Sequence, residues 1–237
     1  MVAVELAVAK VAKYAVRESG DSVEVVERPN GGLSVVMVDG QRSGRSAKAI
    51  SMLAEGVRDG AVARATHDFM RTQRGGQVSA ELTIISVDLE TRTVVVSRNT
   101  QCPVMIWETP CDGEQAKWVA LDEPARTVGV GNRVKPVIEE RPLTAGQVFV
   151  AFTDGVLHAG VRQGRHLDVA AVLEAQCGPE LPSAQYLADC VLKAALAADD
   201  NRPGDDTTVV VMRVFHRQPE DPLEVRRMSV SFPVPAV

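Results

Sequence analysis

The sequence predicts an α+β protein in which two antiparallel β-sheets stack face to face with helices outside. Three observations predict it. Strand–turn–strand units dominate, so neighbouring strands pair antiparallel and not through helical crossovers. Apolar residues at helical spacing run between and after those units. Hydrophobic residues make up 45% of 237, many of them Val and Ala, enough to fill a sizeable core without disulfides.

Val2, Val4, Leu6 and Val8 fall on one face of an opening strand. Ser22 to Arg28 is a second strand, and Pro29-Asn30-Gly31-Gly32 turns it into Leu33 to Val38, a hairpin. From Gly44 to about Met70, Ala47, Ile50, Ala54, Val57 and Ala61 mark one helical face, which Arg74-Gly75-Gly76-Gln77 ends. Ala80 to Val87 is rich in β-branched residues, Asp88 to Thr91 turns, and Arg92 to Ser97 returns. Val104 to Trp107 is a short strand. Thr109 to Arg133, rich in Pro, Gly and Asp, reads as loop with room for one short strand. Lys135 to Arg141 and Gln147 to Thr153 read as a strand pair joined through Pro142 and Gly146. Helical patterns return after residue 165. The clearer one is capped by Ser183, carries Leu187, Cys190, Val191, Ala194 and Ala198 on one face, and ends at Asp199 to Gly204. Thr207 to Phe215 is the last strong strand. The expected organisation is one domain over 1–215 and a C-terminal extension, 216–237, either a flexible tail or an extra edge strand from Met228 to Phe232.

Composition excludes several classes. The net charge is −5 and aromatics are 4%, a poor basis for nucleic-acid binding, which needs a basic surface and stacking rings. The N-terminus carries no basic leader, and no apolar run approaches the ~18 residues that span a bilayer. Cys102, Cys111, Cys177 and Cys190 form no C-x-x-C pair and read as reduced thiols. A cytoplasmic protein without a membrane or nucleic-acid partner is expected.

The aspartates carry the chemistry. Asp-Gly occurs four times, at Asp39, Asp59, Asp112 and Asp154. An Asp-Gly pair is ordinarily a turn. Asp39 and Asp154, however, directly follow Leu-Ser-Val-Val-Met-Val and Val-Phe-Val-Ala-Phe-Thr, so each ends a core strand where an ionised side chain loses solvent. Gly204-Asp205-Asp206 opens the last strand and Gly20-Asp21 the second. Strand ends collect Asp and Gly for structural reasons too, but here all the sites share one grammar. Carboxylates gathered together repel unless cations hold them. Oxygen ligands without His or Cys partners favour Mg²⁺ or Mn²⁺. Two such ions, about 3.5–4 Å apart, can acidify a bound water and aim it at phosphorus.

Gly-Asp-Ser, Val-Asp-Gly-x-x-x-Gly, Phe-Thr-Asp-Gly-Val and Gly-Asp-Asp-Thr-Thr-Val-Val-Val, in that order from Val2 to Phe215, resemble the metal-dependent PPM serine/threonine phosphatases, most of all their SpoIIE-like branch. The resemblance implies a PPM phosphatase-like β-sandwich with two Mn²⁺ or Mg²⁺ at one edge. It implies that Asp39 bridges both metals, that the Gly40 carbonyl and Asp21 serve one of them, that Asp154 and Asp205 hold the other, and that Asp206 supports the shell. Asp39, Asp154 and Asp205 would carry catalysis. Where many relatives have Asp-Gly-x-Gly-His-Gly, this chain has Asp39-Gly40-Gln41-Arg42-Ser43-Gly44, which resembles the stand-alone RsbX-like branch. That likeness implies phosphorylated STAS-domain stressosome proteins as substrates. A free anti-anti-sigma factor, or a silent phosphoprotein-binding module of the same fold, are the alternatives. His158 stands where relatives place Glu; it is either a catalytic acid or an ordinary surface histidine. Arg17 and Arg42 lie near the motifs, where a guanidinium can pair with phosphate, though solvated arginines would look the same. Trp107 and Trp118 flank the irregular middle segment and are expected to pack within it.

Overall fold

The computed structural model describes residues 2–16, 19–28, 31–40, 59–74, 79–108, 115–178, 180–217 and 226–231. In chain order the first strands are β1 (Val2–Val11), β2 (Ser22–Glu27), β3 (Leu33–Gly40), β4 (Ala80–Asp88) and β5 (Thr93–Asn99). Then follow β6 (Val104–Glu108), β7 (Lys117–Leu121), β8 (Val137–Pro142), β9 (Val148–Phe152) and β10 (Thr207–His216). The helices are α1 (Asp59–Arg74), α2 (Asp154–Leu157), α3 (Val169–Glu174) and α4 (Ala184–Ala198). One five-stranded sheet has the order β1-β10-β9-β6-β7 and the other β2-β3-β4-β5-β8. Every pairing is antiparallel.

The inner strands are apolar on both faces because both faces are covered. Val35, Met37, Ile85, Val94 and Val96 meet Val104, Ile106, Phe149, Val210 and Met212 between the sheets. The alternate residues point outward. Val36, Val38, Leu82 and Ile84 pack with Val62, Ala63 and Met70 of α1. Val148, Val150, Phe152, Val209 and Val211 pack with Leu173 of α3 and Leu187 and Val191 of α4. Each such side chain contributes about 1.5–3 kcal/mol on burial, so the outer helices are as necessary as the inter-sheet layer. The expected sandwich flanked by helices is therefore the observed fold.

α4 begins where Ser183 Oγ accepts a hydrogen bond from the Tyr186 amide at 3.2 Å. It buries Ala184, Leu187, Ala188, Val191 and Ala195. The inward face is thus centred one stripe away from the expected one: Leu187 and Val191 belong to it, whereas Cys190, Ala194 and Ala198 sit at its half-buried margin. Alanines let α4 lie close to the sheet, and the two bulkiest buried residues fix its rotation. The helix stops at Asp199, and Asp200 and Asn201 take left-handed backbone angles, φ 52° and 58°.

The strands expected to pair as 135–141 and 147–153 are strands, but they do not pair. β8 bonds to β5 at the edge of one sheet, while β9 lies between β10 and β6 in the other. Their burial explains the split. All five residues of β9 are buried, which demands the middle of a sheet; β8 alternates half-buried and exposed, which suits an edge. The link crosses from sheet to sheet, with the Leu143 amide donating to Arg92 O and the Gly146 amide to Val214 O, both at 2.8 Å.

Most of the long helix expected from Gly44 lies outside the described residues, but 59–74 is helical. Residues 226–231 form no strand, and Met228 and Val230 are 71% and 66% exposed; Phe232 and the rest of the expected extension lie outside the described residues. Arg226 instead pairs with Glu27 at 2.9 Å. Cys102, Cys177 and Cys190 are free. Among the described residues no helix is long and apolar enough to cross a membrane.

Candidate active site

The sheets meet where β2, β3, β9 and β10 begin or end, and the predicted acids sit there. Asp21 immediately precedes β2, Asp39 lies near the end of β3, Asp154 opens α2 directly after β9, and Asp205 and Asp206 precede β10. Thr153 Oγ1 and Thr208 Oγ1 donate to Oδ2 of Asp21 at 2.9 and 2.6 Å, tying the acid that precedes β2 to the β9 and β10 edge of the other sheet. The Thr208 amide donates in turn to Thr153 Oγ1 at 3.0 Å. Asp39 and Asp154 hydrogen-bond through their carboxyls. Two glycines permit the close approach. A Cβ on Gly155 would stand 2.1 Å from the Asp206 carbonyl oxygen, and one on Gly20 would stand 3.0 Å from that of Gly40.

Crowded carboxylates resist ionisation. Burial, then the charges of Asp21 and Asp154, the Asp154 hydrogen bond and the charge of Glu81, push Asp39 up to about 8. Burial and the Asp205 charge raise Asp154, while its hydrogen bond from Asp39 and the nearby His158 pull it down. Both carboxyls of this pair are thus held toward the protonated form by burial and by their neighbours' charges. Burial also raises Asp21, against the lowering bonds from Thr208 and Thr153. Asp21 is 3% exposed, yet its Oδ1 has no hydrogen-bond partner among the described residues. An orphaned buried carboxylate oxygen is costly, and a cation would satisfy it.

The other predicted residues take distinct positions. Asp205 stands at the rim with its side chain 56% exposed, 3.7 Å from Lys13 Nζ. Asp206 accepts backbone bonds from Lys13 and Gly20, and its charge still acts on Asp21. His158 is exposed but close enough for its charge to act on Asp154. Arg17 and Arg42 lie outside the described residues. Trp107 and Trp118 pack on each other with ring centroids 5.4 Å apart, as expected of that segment.

Sequence reasoning missed Glu81, Thr153, Thr208 and Lys10. Glu81 lies opposite Asp39 in the β3–β4 register, and Thr100 Oγ1 and the Gln101 amide donate to its carboxylate. Lys10 Nζ donates to the Asp21 carbonyl at 2.7 Å. The two threonines were visible beside Asp154 and Asp206. A charged residue opening an apolar strand was the only signal for Glu81.

Among the described residues, no three His, Cys, Asp or Glu side chains converge as ligands of a single ion. The acids that act on one another here, Asp21, Asp39, Asp154 and Asp205, nonetheless offer only oxygen. Mg²⁺ and its like are bound by one or two carboxylates and keep several waters. The residues fit ions held that way.

Two five-stranded antiparallel sheets with outer helices and carboxylates at the shared edge define a PP2C-type phosphatase domain fold. The family model for stage II sporulation protein E (SpoIIE) matches residues 30–215, and the chain belongs to that family. The structure resembles the PP2C phosphatase domain with a regulatory fragment of SpoIIE from Bacillus subtilis at TM-score 0.72 and 18% identity, covering 89% of this chain and 63% of that one. The chain thus spans less than two thirds of that relative. It resembles the catalytic domain of PstP in complex with two manganese ions at TM-score 0.65 and 16% identity, covering 91% and 100%. It resembles RsbX in complex with magnesium at TM-score 0.64 and 18% identity, covering 90% and 100%. The likeness is shared among these three, and RsbX is one neighbour among several. No curated protein sequence matches the chain.

Proposed function

We propose that this chain is a metal-dependent protein serine/threonine phosphatase, hydrolysing phosphoserine and phosphothreonine on STAS-domain stress-signalling proteins. The observation that carries the reading is the meeting of Asp21, Asp39 and Asp154 from three separate strand ends, with Asp39 pushed up to about 8 and a buried Asp21 oxygen unpartnered among the described residues. Such a cluster is built for cations. Asp39 would be shared between two divalent ions, Asp21 and the Gly40 carbonyl would face one, and Asp154 and Asp205 the other. Bound Mn²⁺ or Mg²⁺ would supply the charge that acidifies a water and steadies the phosphoryl oxygens. The manganese in PstP and the magnesium in RsbX support that choice of ion.

The chain's own residues do the rest. Asp39 would hold the cations in its ionised form. Thr153 and Thr208 hold Asp21 in one orientation through Oδ2 and leave Oδ1 free to bind. Glu81, pinned by Thr100 and Gln101, adds negative potential behind Asp39. The substrate class rests on the RsbX-like form of the second motif. Incubating the chain and Mn²⁺ with a panel of phosphorylated STAS proteins, read by intact mass, tests it: loss of one phosphate from a scaffold protein is expected. Loss only from a free anti-anti-sigma factor would move the substrate, and binding without loss would leave a silent module.

A further inference from the structure

Asp206 neighbours the acid cluster in sequence but spends both carboxylate oxygens elsewhere. Oδ1 accepts the Lys13 amide at 2.8 Å and Oδ2 the Gly20 amide at 2.6 Å, across 193 and 186 residues. These are charge-assisted bonds to backbone, the stronger kind. They fasten both ends of the β1–β2 connection, and Asp21 is the residue after Gly20. The same connection is fastened three more times to the segment before β10. The Tyr14 amide donates to Pro203 O at 3.0 Å, the Arg202 guanidinium lies 5.5 Å over the Tyr14 ring, and Lys13 Nζ is 3.7 Å from Asp205. A Cβ on Gly20 would fit only tightly, 3.0 Å from Gly40 O and 3.2 Å from Asp206 Oδ2.

We infer that Asp206 is a positioning residue, not a metal ligand: it anchors the β1–β2 connection at Lys13 and Gly20 and thereby delivers Asp21 to the cation beside Asp39. The inference rests on the phosphatase reading for its consequence and on geometry alone for the anchor. It also explains why a second acidic residue follows Asp205. Replacing one carboxylate oxygen leaves one amide bonded; removing both leaves the connection to its Tyr14 and Lys13 contacts and loosens the backbone at Gly20, just before Asp21.

Asp206→Ala and Asp206→Asn, compared with wild type, test this in two ways. On metal-free protein, amide hydrogen exchange should speed up at Lys13 and Gly20 in Asp206→Ala, with Asp206→Asn between. Unchanged exchange there would overturn the anchor. With Mn²⁺, binding followed by electron paramagnetic resonance of the free ion should weaken about tenfold in Asp206→Ala, the loss typical of an outer partner. Activity should return at saturating Mn²⁺, the half-saturating concentration having moved and kcat not. Wild-type affinity in Asp206→Ala, or a kcat that stays lost at saturation, would overturn the positioning role. Wild-type protein that binds no Mn²⁺ would instead overturn the phosphatase reading, and the exchange measurement would still decide the anchor.

Discussion

Asp39 ends a buried strand beside two other carboxyls, and that position makes its ionised form expensive. Its folded value, about 8, lies above the ordinary 3.8. Stability from such a group is fully present below the unfolded value and is lost as pH rises through the folded one. Metal-free protein is therefore predicted to melt higher at about pH 5 than at about pH 8.5. Asp39→Asn should flatten that dependence while abolishing turnover, and thermal melts of both proteins across the range check it. Gly155 supplies a steric test. A methyl there meets the Asp206 carbonyl at 2.1 Å. Gly155→Ala should cost about 1–3 kcal/mol in urea unfolding, with loss of activity as the Asp205–Asp206 loop moves. Asp39 and Asp154 could be read from the sequence because each terminates an apolar run. Glu81 could not: its role depends on pairing opposite Asp39, a register fixed by the hairpin and not by its neighbours.

Among elements, α4 carries the clearest burden. It covers Val209, Val211 and Val150 with Leu187 and Val191, both fully buried. Leu187→Ala should cost about 2–5 kcal/mol and Ser183→Ala about 1 kcal/mol, read from urea midpoints. A negligible loss at Leu187 would mean that the helix does not close the core. The same scale shows what local pattern can reveal. The β2–β3 hairpin was legible because its turn lies within the pattern itself. The separation of β8 from β9 was not, since adjacency in sequence suggests a hairpin and only the contrast between a wholly buried strand and an alternating one argues otherwise. The cap at Ser183 was legible; the rotation of α4 was not, because Ala and Cys fit either margin of the face.

Across the whole molecule, the acids come from both sheets, so a cation there would bind only the assembled sandwich. Ligands that bind only the folded state stabilise by mass action, about 2.7 kcal/mol at one hundred times Kd. Mn²⁺ should accordingly raise Tm, and more strongly at higher pH, where Asp39 gives up its proton at lower cost. The antiparallel sandwich was readable from patterns of strand and turn. The gathering of its acids was an expectation carried by motif order; in the structure Asp21, Asp39 and Asp154 lie close enough for their charges to act on Asp39, and which of them hold an ion is for titration to decide. The decisive measurement is calorimetric titration of the purified chain with Mn²⁺ near neutral pH, beside Asp39→Asn. Two ions per wild-type chain and loss of binding in the variant are predicted. Absence of binding at millimolar Mn²⁺, or equal binding by both proteins, would contradict a cation site built around Asp39.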